Sequence, residues 1–315
     1  MSAFGLLAQF LQLFLTVLLA PLLLGWVNQC RAWLQNRQGP GIDQPYRKLR
    51  KLFQKDAVIA ESASPLFRIV PYILFGAMCL AAAIVPSLAT DLGFSEAADA
   101  IALVGIFALA RIFMSLAAMD IGTAFGGMGA RREMLVGFLA EPALLMVLFT
   151  ASLISQSTSL TVIVETLAHR HFGIYPSLAF TGIAFLMVLL AENARIPVDN
   201  PASHLELTMI HEAMILEYSA RHLALVEWAS SIKLFAYVAM GIALFVPWGI
   251  AQAADWLGMA FALPILIVKL LVAGFGLAVI ETVMAKQRIF RAPEFMGTAF
   301  LFGVLGMLVH FLLGA

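Results

Sequence analysis

Eight long runs of apolar residues, separated by polar connections, dominate the pattern of this chain. Each run has about 20 mostly apolar residues, the length that an α-helix needs to cross the hydrocarbon core of a bilayer. The apolar positions are continuous rather than alternating, which excludes the strands of a membrane β-barrel. The predicted spans are 3–29, 69–89, 98–118, 134–155, 173–192, 224–249, 258–283 and 295–314. The pattern therefore predicts an all-α polytopic membrane protein, a bundle of about eight helices, with 1–315 as one integral-membrane domain.

Composition agrees with this prediction and narrows the class of protein. Apolar residues make up 62% of the chain and charged residues only 12%, against about a quarter charged in an ordinary soluble domain. A soluble domain of this size could not bury so much apolar surface. The composition therefore excludes a disordered protein, a nucleic-acid binder and most soluble enzymes.

Basic residues are distributed very unequally between the predicted connections. Fifteen of the 19 Lys and Arg residues follow spans one, three, five or seven, and only Arg170 follows spans two, four or six. Because basic loops stay in the cytoplasm, the odd-numbered loops are predicted to lie inside. Both termini are then external, on the periplasmic side of the cell membrane. The long, charged inner loops are predicted to form a docking surface.

The first inner loop contains a turn and a short amphipathic helix. Gly39-Pro40-Gly41 breaks the preceding helix. After it, apolar residues recur at helical spacing between basic ones, as in helices that lie on a membrane surface. Such a helix either holds anionic lipid or covers a cavity that opens to the bilayer. The apolar positions are Tyr46, Leu49, Leu52 and Phe53, and the basic ones are Arg47, Lys48, Arg50, Lys51 and Lys55.

The third and fifth loops add glycines and ionisable residues. In loop three, four glycines are predicted to form a flexible segment that precedes the charged start of span four. The glycines are Gly122, Gly126, Gly127 and Gly129, and the charged residues are Arg131, Arg132 and Glu133. In loop five, Pro197 ends a helix, and Asn200-Pro201 is predicted to start another that runs to about Tyr218. That helix places Glu206 and Glu217 on one face, and His204 and His211 with Tyr218 on the opposite face. His211-Glu212 lacks a second His at Ile215, so it is not a metalloprotease motif, and no metal site is predicted.

Six ionisable residues fall inside or at the ends of the predicted spans. Charges at this depth are costly and usually face the bundle interior or water. Their mixed sign and spread over several spans favour a polar axis for ion transfer over static pairing. Glu141, followed by Pro142, is the best candidate for a proton-transfer residue, with Lys233 and Lys269 as its candidate cations. The six residues are Arg111, Glu141, Glu192, Lys233, Lys269 and Glu281.

No motif in the chain indicates bond-making chemistry. There is no phosphate-binding loop, no nucleophile with a base, and no CxxC pair among the two cysteines. We therefore predict no catalytic residue and no cofactor held by this chain alone.

Loops one, three and five together carry a resemblance to a known family. The chain resembles the core membrane subunit shared by respiratory complex I, where it is the subunit 1 family, and the group 4 nickel–iron hydrogenases. The pattern Gly129 to Glu133 followed by Glu141-Pro142 is most similar to the hydrogenase branch of formate hydrogenlyase and hydrogenase-4. The motifs are Asn36-Arg37-Gln38-Gly39-Pro40-Gly41, Gly129-Ala130-Arg131-Arg132-Glu133, Glu141-Pro142, Ile196-Pro197-Val198-Asp199 and Glu217-Tyr218-Ser219.

The resemblance implies a place in a larger complex. Loops one, three and five would contact soluble large and small electron-transfer subunits, which would hold the nickel–iron and iron–sulfur centres. Antiporter-like membrane subunits and lipids would be further partners, and the complex I branch adds a quinone cavity. The implied interface residues are Arg37, Gly39, Pro40, Gly41, Arg131, Arg132, Glu133 and Arg195. The implied ion-relay residues are Glu141, Asp199, Glu206, Glu212, Glu217, Glu192, Lys233 and Lys269.

The leading hypothesis is a membrane subunit of a hydrogenase-type complex that anchors the soluble arm and couples its redox chemistry to proton or sodium translocation. A complex I subunit proper, lining a quinone cavity, is the alternative. A self-contained secondary transporter is disfavoured because no inverted repeat is visible. A pure anchor is disfavoured by the buried charges.

Overall fold

The computed structural model describes residues 3–90, 93, 98–169, 176–199, 209–251 and 256–313. The described part consists of helices joined by turns and loops, and two isolated bridges are its only extended pairings. Seven helices are long and apolar enough to cross a bilayer, and α7 is a shorter apolar helix of 17 residues. The helices are α1 Ala3–Leu34, α2 Gln44–Phe53, α3 Pro65–Ile84, α4 Ala100–Asp120, α5 Ala124–Ser155, α6 Leu160–His169, α7 Pro176–Glu192, α8 His211–Ile215, α9 Ala220–Phe245, α10 Trp256–Val283 and α11 Ala292–Leu313. The all-α membrane fold predicted from the pattern is confirmed.

Local sequence accounts for where several of these helices begin. The side chains of Ser64, Asp99 and Thr123 each accept a hydrogen bond from a backbone N–H in the first turn of α3, α4 and α5. Such caps satisfy donors that have no partner inside the helix. In α3 the cap is followed directly by Pro65, whose fixed φ suits the first helical position.

Each spanning helix packs against its neighbours in the bundle, and α9 is the most enclosed of them. Helix α1 packs on α10 and α9, α9 on α3, α3 on α4, α4 on α5, and α5 on α7 and α11. Helix α9 is the most buried of the long helices, whereas α10 and α11 are the least buried. The large apolar side chains exposed on α1, α10 and α11 therefore form the lipid-facing surface expected of a membrane bundle.

The connections that the sequence pattern groups as loops one, three, five and seven meet at one end of the bundle, called here the charged end. Helix α2 lies at this end as predicted, with Leu49 buried and its basic side chains on the outside. Asp120, at the end of α4, accepts a hydrogen bond from the backbone N–H of Ser64, at the start of α3. The loop after α2 is tied to the start of α9 through Val58 and Ser219.

The structure corrects several predicted boundaries. Span four begins at Ala124 rather than near residue 134, because Thr123 caps the helix and the glycine-rich segment is itself helical. The predicted loop-five helix does not reach Tyr218: its described part is the short α8, followed by a turn and an extended Ser219. Helix α6, in the connection between α5 and α7, was not predicted. Arg170, Asn200, Pro201, His204 and Glu206 lie outside the described residues.

Candidate functional site

Arg111 is the centre of a buried group of charges in the middle of the bundle. This arginine lies on α4, and only 5% of its side chain is exposed. Its Nη1 lies 2.5 Å from Glu141 Oε1 on α5, and its Nη2 donates to Glu192 Oε1 at the end of α7. Arg111 Nε also lies 3.9 Å from Glu133 Oε1. One guanidinium thus binds carboxylates from two further helices, using the several donors that arginine offers in a fixed plane.

A second cation completes the group, called here the Arg111 cluster: Arg111, Glu133, Glu141, Glu192 and Lys233. Lys233 Nζ on α9 lies 2.9 Å from Glu192 Oε2. Glu192 is 2% exposed at its side chain, whereas Glu141 is 34% exposed. The cluster therefore joins four helices through three carboxylates and two cations, and Glu141 is its most accessible carboxylate.

The spacing of residues along α5 explains how this helix approaches Arg111. Glu133, Gly137 and Glu141 are four residues apart, so they lie on one face of the helix. A Cβ on Gly137 would lie 2.2 Å from Arg111 Nη1, which is closer than any real contact. The missing side chain of Gly137 leaves the space that the guanidinium occupies between the two carboxylates.

Two cavities adjoin the cluster on the side of the charged end. The smaller, of about 60 Å³, is lined by Arg111, Glu133, Glu192 and Lys233 together with apolar side chains, and has room for several water molecules. The larger, of about 320 Å³, lies between α1, α2 and α9. The two cavities share lining residues around Asn193 and His211, so a polar route leads from the larger cavity to the buried charges.

A second buried ion network lies nearby, between the ends of α1 and α10 and the segment after α7. Glu281 Oε1 lies 2.9 Å from Arg195 Nη1, and its Oε2 lies 3.4 Å from Arg31 Nη1. The pair Asp199–Lys286 follows directly, with 3.5 Å between Oδ1 and Nζ. Asp199 Oδ2 also accepts a hydrogen bond from the backbone N–H of His211, at the edge of both cavities.

The structure brings together only some of the predicted relay residues. Glu141, Glu192 and Lys233 belong to the Arg111 cluster, and Asp199 belongs to the second network. Glu212 lines the larger cavity, whereas Glu217 lies exposed in the turn after α8. Glu206 is outside the described residues.

The prediction that Lys233 and Lys269 are the cations of Glu141 was wrong. Glu141 pairs with Arg111, and Lys233 pairs with Glu192. Lys269 Nζ donates to the backbone carbonyls of Val246 and Trp248, at the opposite end of α9 and about 20 Å along that helix from Lys233. Pairing across helices could not be read from spacing along the chain.

The predicted interface residues fall into two groups. Arg37, Gly39, Pro40 and Gly41 lie in the accessible turn between α1 and α2, and Arg131 is exposed on the first part of α5. The remaining three make contacts within the chain. Arg132 donates to the Met209 carbonyl, Glu133 faces Arg111, and Arg195 is buried against Glu281.

Two tyrosines near these charges were not predicted as site residues: Tyr237 was not singled out, and Tyr218 was named only as part of the loop-five helix and of a family motif. Tyr237 on α9 is fully buried beside Glu192 and stacks on Phe107 with 4.6 Å between ring centroids. Tyr218 stacks on Phe67 with 3.9 Å between centroids and donates to the Phe67 carbonyl. Burial and the nearby carboxylate of Asp120 raise the pKa of Tyr218 well above its ordinary value, so its hydroxyl remains a donor at physiological pH. The position of Tyr237 among apolar residues gave no signal in the sequence.

Together, the fold and the buried charges define a class: polytopic membrane subunits with ionisable residues enclosed between their spans. A family model described as NADH dehydrogenase matches residues 7–312, and the chain belongs to this family. This confirms the resemblance to the complex I subunit 1 family.

Curated relatives fall in the hydrogenase branch. The chain is 32% identical over 286 residues to formate hydrogenlyase subunit 4 of Escherichia coli K12, covering 91% of this chain and 92% of the relative. It is 33% identical over 278 residues to hydrogenase-4 component C of the same organism, covering 88% and 87%. Among solved structures, a chain of the archaeal membrane-bound sulfane sulfur reductase, a respiratory membrane complex, superposes with a TM-score of 0.82 at 20% identity. The match covers 96% of this chain and 99% of that one, which shows a common fold.

Proposed function

We propose that this chain is the core membrane subunit of a hydrogenase-type, complex I-related redox complex, which anchors a soluble electron-transfer arm and couples its redox chemistry to ion translocation. The observation that carries the coupling is the Arg111 cluster, a group of ionisable residues enclosed between α4, α5, α7 and α9. Membership of the family and the names of the two curated relatives support the assignment to such a complex.

The charge balance of the cluster favours the uptake of one proton. Three carboxylates face two cations, so one carboxylate is not neutralised when all are ionised. An uncompensated charge at bilayer depth costs several kcal/mol, which a bound proton would remove. Glu141 is the natural acceptor because its side chain is the most accessible of the three. A shift of Arg111 towards or away from Glu141 would then release or bind this proton; sodium is the alternative coupling ion.

The charged end is the proposed face for the soluble arm. Arg37 to Gly41 and Arg131 are accessible there, and the unequal distribution of basic residues orients this end towards the cytoplasm. Both termini would then be periplasmic. The nickel–iron and iron–sulfur centres would be held by the soluble subunits, and antiporter-like membrane subunits would pack against the lipid-facing helices.

The larger cavity favours a second candidate function, a complex I subunit proper that binds quinone. Its volume of about 320 Å³ lies at the lower end of the range for small-molecule sites. It opens between α1, α2 and α9, where a ligand from the bilayer would reach the edge of the Arg111 cluster. A quinone there would accept electrons from the soluble arm.

The coupling role is tested with the whole complex in proteoliposomes, by comparing Glu141→Gln with Glu294→Gln, an exposed carboxylate at the start of α11. Glu141→Gln should abolish ion movement while keeping the soluble arm bound and electron transfer to an artificial acceptor intact. Glu294→Gln should behave as wild type. Normal ion movement in Glu141→Gln would reject the proposed role.

The docking face is tested separately, through Arg131→Glu, because Arg131 is exposed and forms no hydrogen bond or ion pair among the described residues, whereas Arg132 donates to Met209. Reversal of an interface charge weakens association, so the soluble arm should be lost on purification while the subunit remains in the membrane. The exposed Arg291→Glu serves as the control. Undiminished recovery of the arm with Arg131→Glu would place the interface elsewhere.

A further inference from the structure

Two exposed arginines lie in the first turns of α3 and α9. Arg68 is the fourth residue of α3 and Arg221 the second residue of α9, and these two helices pack along each other. Both side chains are exposed, and the charges of both act on the same neighbour, His222. Neither arginine forms an ion pair with any residue in the described part of the chain. The pair therefore leaves two positive charges available to an external anion.

The depth of this pair in the membrane follows from the length of α3. Its 20 residues extend over about 30 Å, the thickness of the hydrocarbon core. The first turn of α3, which contains Arg68, therefore lies at the level of the lipid headgroups. The N-terminal ends of both helices add the partial positive charge of their unpaired N–H groups.

Below Arg68, a continuous apolar stripe runs down the outer face of α3. Tyr72, Gly76 and Leu80 follow at intervals of four residues, which places them in line on the helix surface. Tyr72 is 50% exposed and Leu80 is 47% exposed. Nothing lies within 4 Å of a Cβ placed on Gly76, so the stripe has a notch at this position. The two arginines at the headgroup level and the apolar stripe below them match the charged headgroup and the acyl chain of a phospholipid.

A buried polar side chain marks the top of the stripe. His222 is 3% exposed. Its ring meets that of Tyr72 edge to face, with 6.0 Å between centroids. Buried polar groups normally have a partner, and an oxygen of a ligand held between the two arginines would supply one.

We propose that Arg68 and Arg221 bind the phosphodiester of an anionic phospholipid, whose acyl chain lies along Tyr72, Gly76 and Leu80. Paired guanidinium groups suit phosphate oxygens. The apolar stripe directly below favours a lipid over an acidic segment of a partner protein, which would not need such a track. This binding is separate from ion transfer and does not depend on the proposed coupling.

Lipid retention in native mass spectrometry tests the proposal. The whole complex is purified from mixed micelles that contain phosphatidylglycerol as the anionic probe in phosphatidylcholine, and the lipid retained by this chain is measured. Arg68→Gln/Arg221→Gln is compared with Arg288→Gln/Arg291→Gln, a pair of exposed arginines at the same end of the bundle. At about fivefold per arginine, the first double variant should lower the affinity for phosphatidylglycerol roughly 25-fold. The control pair should retain the lipid as wild type does.

A third variant separates the acyl chain from the headgroup. Gly76→Leu fills the notch without changing charge, and the open space there lets the variant fold. It should weaken lipid retention, and inorganic phosphate should not displace the lipid. The proposal is overturned if Arg68→Gln/Arg221→Gln retains the lipid as wild type does or if the control pair loses it equally. It is also overturned if free phosphate competes, or if the variant releases a soluble partner while its lipid content is unchanged.

Discussion

The two buried ion networks of this protein differ in the sign of their unbalanced charge. The Arg111 cluster has three carboxylates and two cations, whereas the second network has two carboxylates, Glu281 and Asp199, and three cations, Arg31, Arg195 and Lys286. An excess carboxylate accepts a proton readily, and a carboxylate held between two cations does not. The first network is therefore suited to ion transfer and the second to holding helices together.

Accessibility strengthens this contrast. The Arg111 cluster borders the smaller cavity through Arg111, Glu133, Glu192 and Lys233, and the side chain of Glu141 is 34% exposed. Glu281 is 1% exposed and is enclosed between its two partners. The segment of Arg195 to Asp199 is also tied to the end of α10 through Lys286 and through the N–H of Gln287, which donates to the Pro197 carbonyl. Burial alone thus does not identify a relay residue, since the relay also needs an unbalanced charge and a route to water.

The largest effect is expected from Arg111→Gln. This change leaves three carboxylates around one lysine, and breaking a buried pair costs about 3–5 kcal/mol. The complex should assemble poorly, or its subunit should melt well below wild type in a thermal-shift assay in detergent. Wild-type thermal stability would show that the carboxylates do not depend on this cation.

Glu281→Gln should also destabilise the protein, but by less, about 3 kcal/mol, because Arg31 is 24% exposed and can turn towards water. The fraction that assembles should keep normal ion movement per electron, since the Arg111 cluster is intact. The same thermal-shift and proteoliposome assays measure both quantities. Loss of ion movement in the assembled fraction would assign a relay role to this network as well.

Some features of the fold and of the candidate site can be predicted from the sequence, and others cannot. The spans, the amphipathic α2 and the ionisable residues inside spans follow from composition and periodicity, because lipid forces each span to be apolar. The ion pairs between these charged residues cannot be predicted in this way, because they depend on which helices are neighbours in the bundle. Arg111 is predicted only as one of six ionisable residues in the spans, with two lysines as the candidate cations of Glu141, yet it is Arg111 that binds Glu141. The signal that was available is the four-residue spacing of Glu133, Gly137 and Glu141, which indicates a face shaped around a large partner.

Gly137→Ala tests the geometry of the Arg111 cluster without changing its charge. The added Cβ would collide with the guanidinium, and such overpacking costs about 1–3 kcal/mol. Arg111 should move away from Glu141, so ion movement should fall together with thermal stability. Gly105→Ala, an exposed position on α4 with nothing within 4 Å, is the matched control. Unchanged ion movement in Gly137→Ala would mean that the position of Arg111 is not critical.

The smallest effect on stability is expected from Lys269→Met. Its ammonium caps the end of α9, so the loss of two hydrogen bonds that are partly exposed should cost about 1–2 kcal/mol. Ion movement should be unchanged, because Lys269 lies far from the Arg111 cluster. A transport defect without loss of stability would restore the prediction that Lys269 belongs to the relay.

Infrared difference spectroscopy of the whole complex tests the central claim most directly. The spectrum of the dithionite-reduced complex is subtracted from that of the oxidised one, in wild type, Glu141→Gln, Glu281→Gln and the exposed control Glu294→Gln. We predict that wild type shows a change in the C=O stretch of a protonated carboxyl group, and that only Glu141→Gln lacks it. A carboxyl signal that persists in Glu141→Gln, or one that vanishes in Glu281→Gln instead, would contradict the assignment of the mobile proton to the Arg111 cluster.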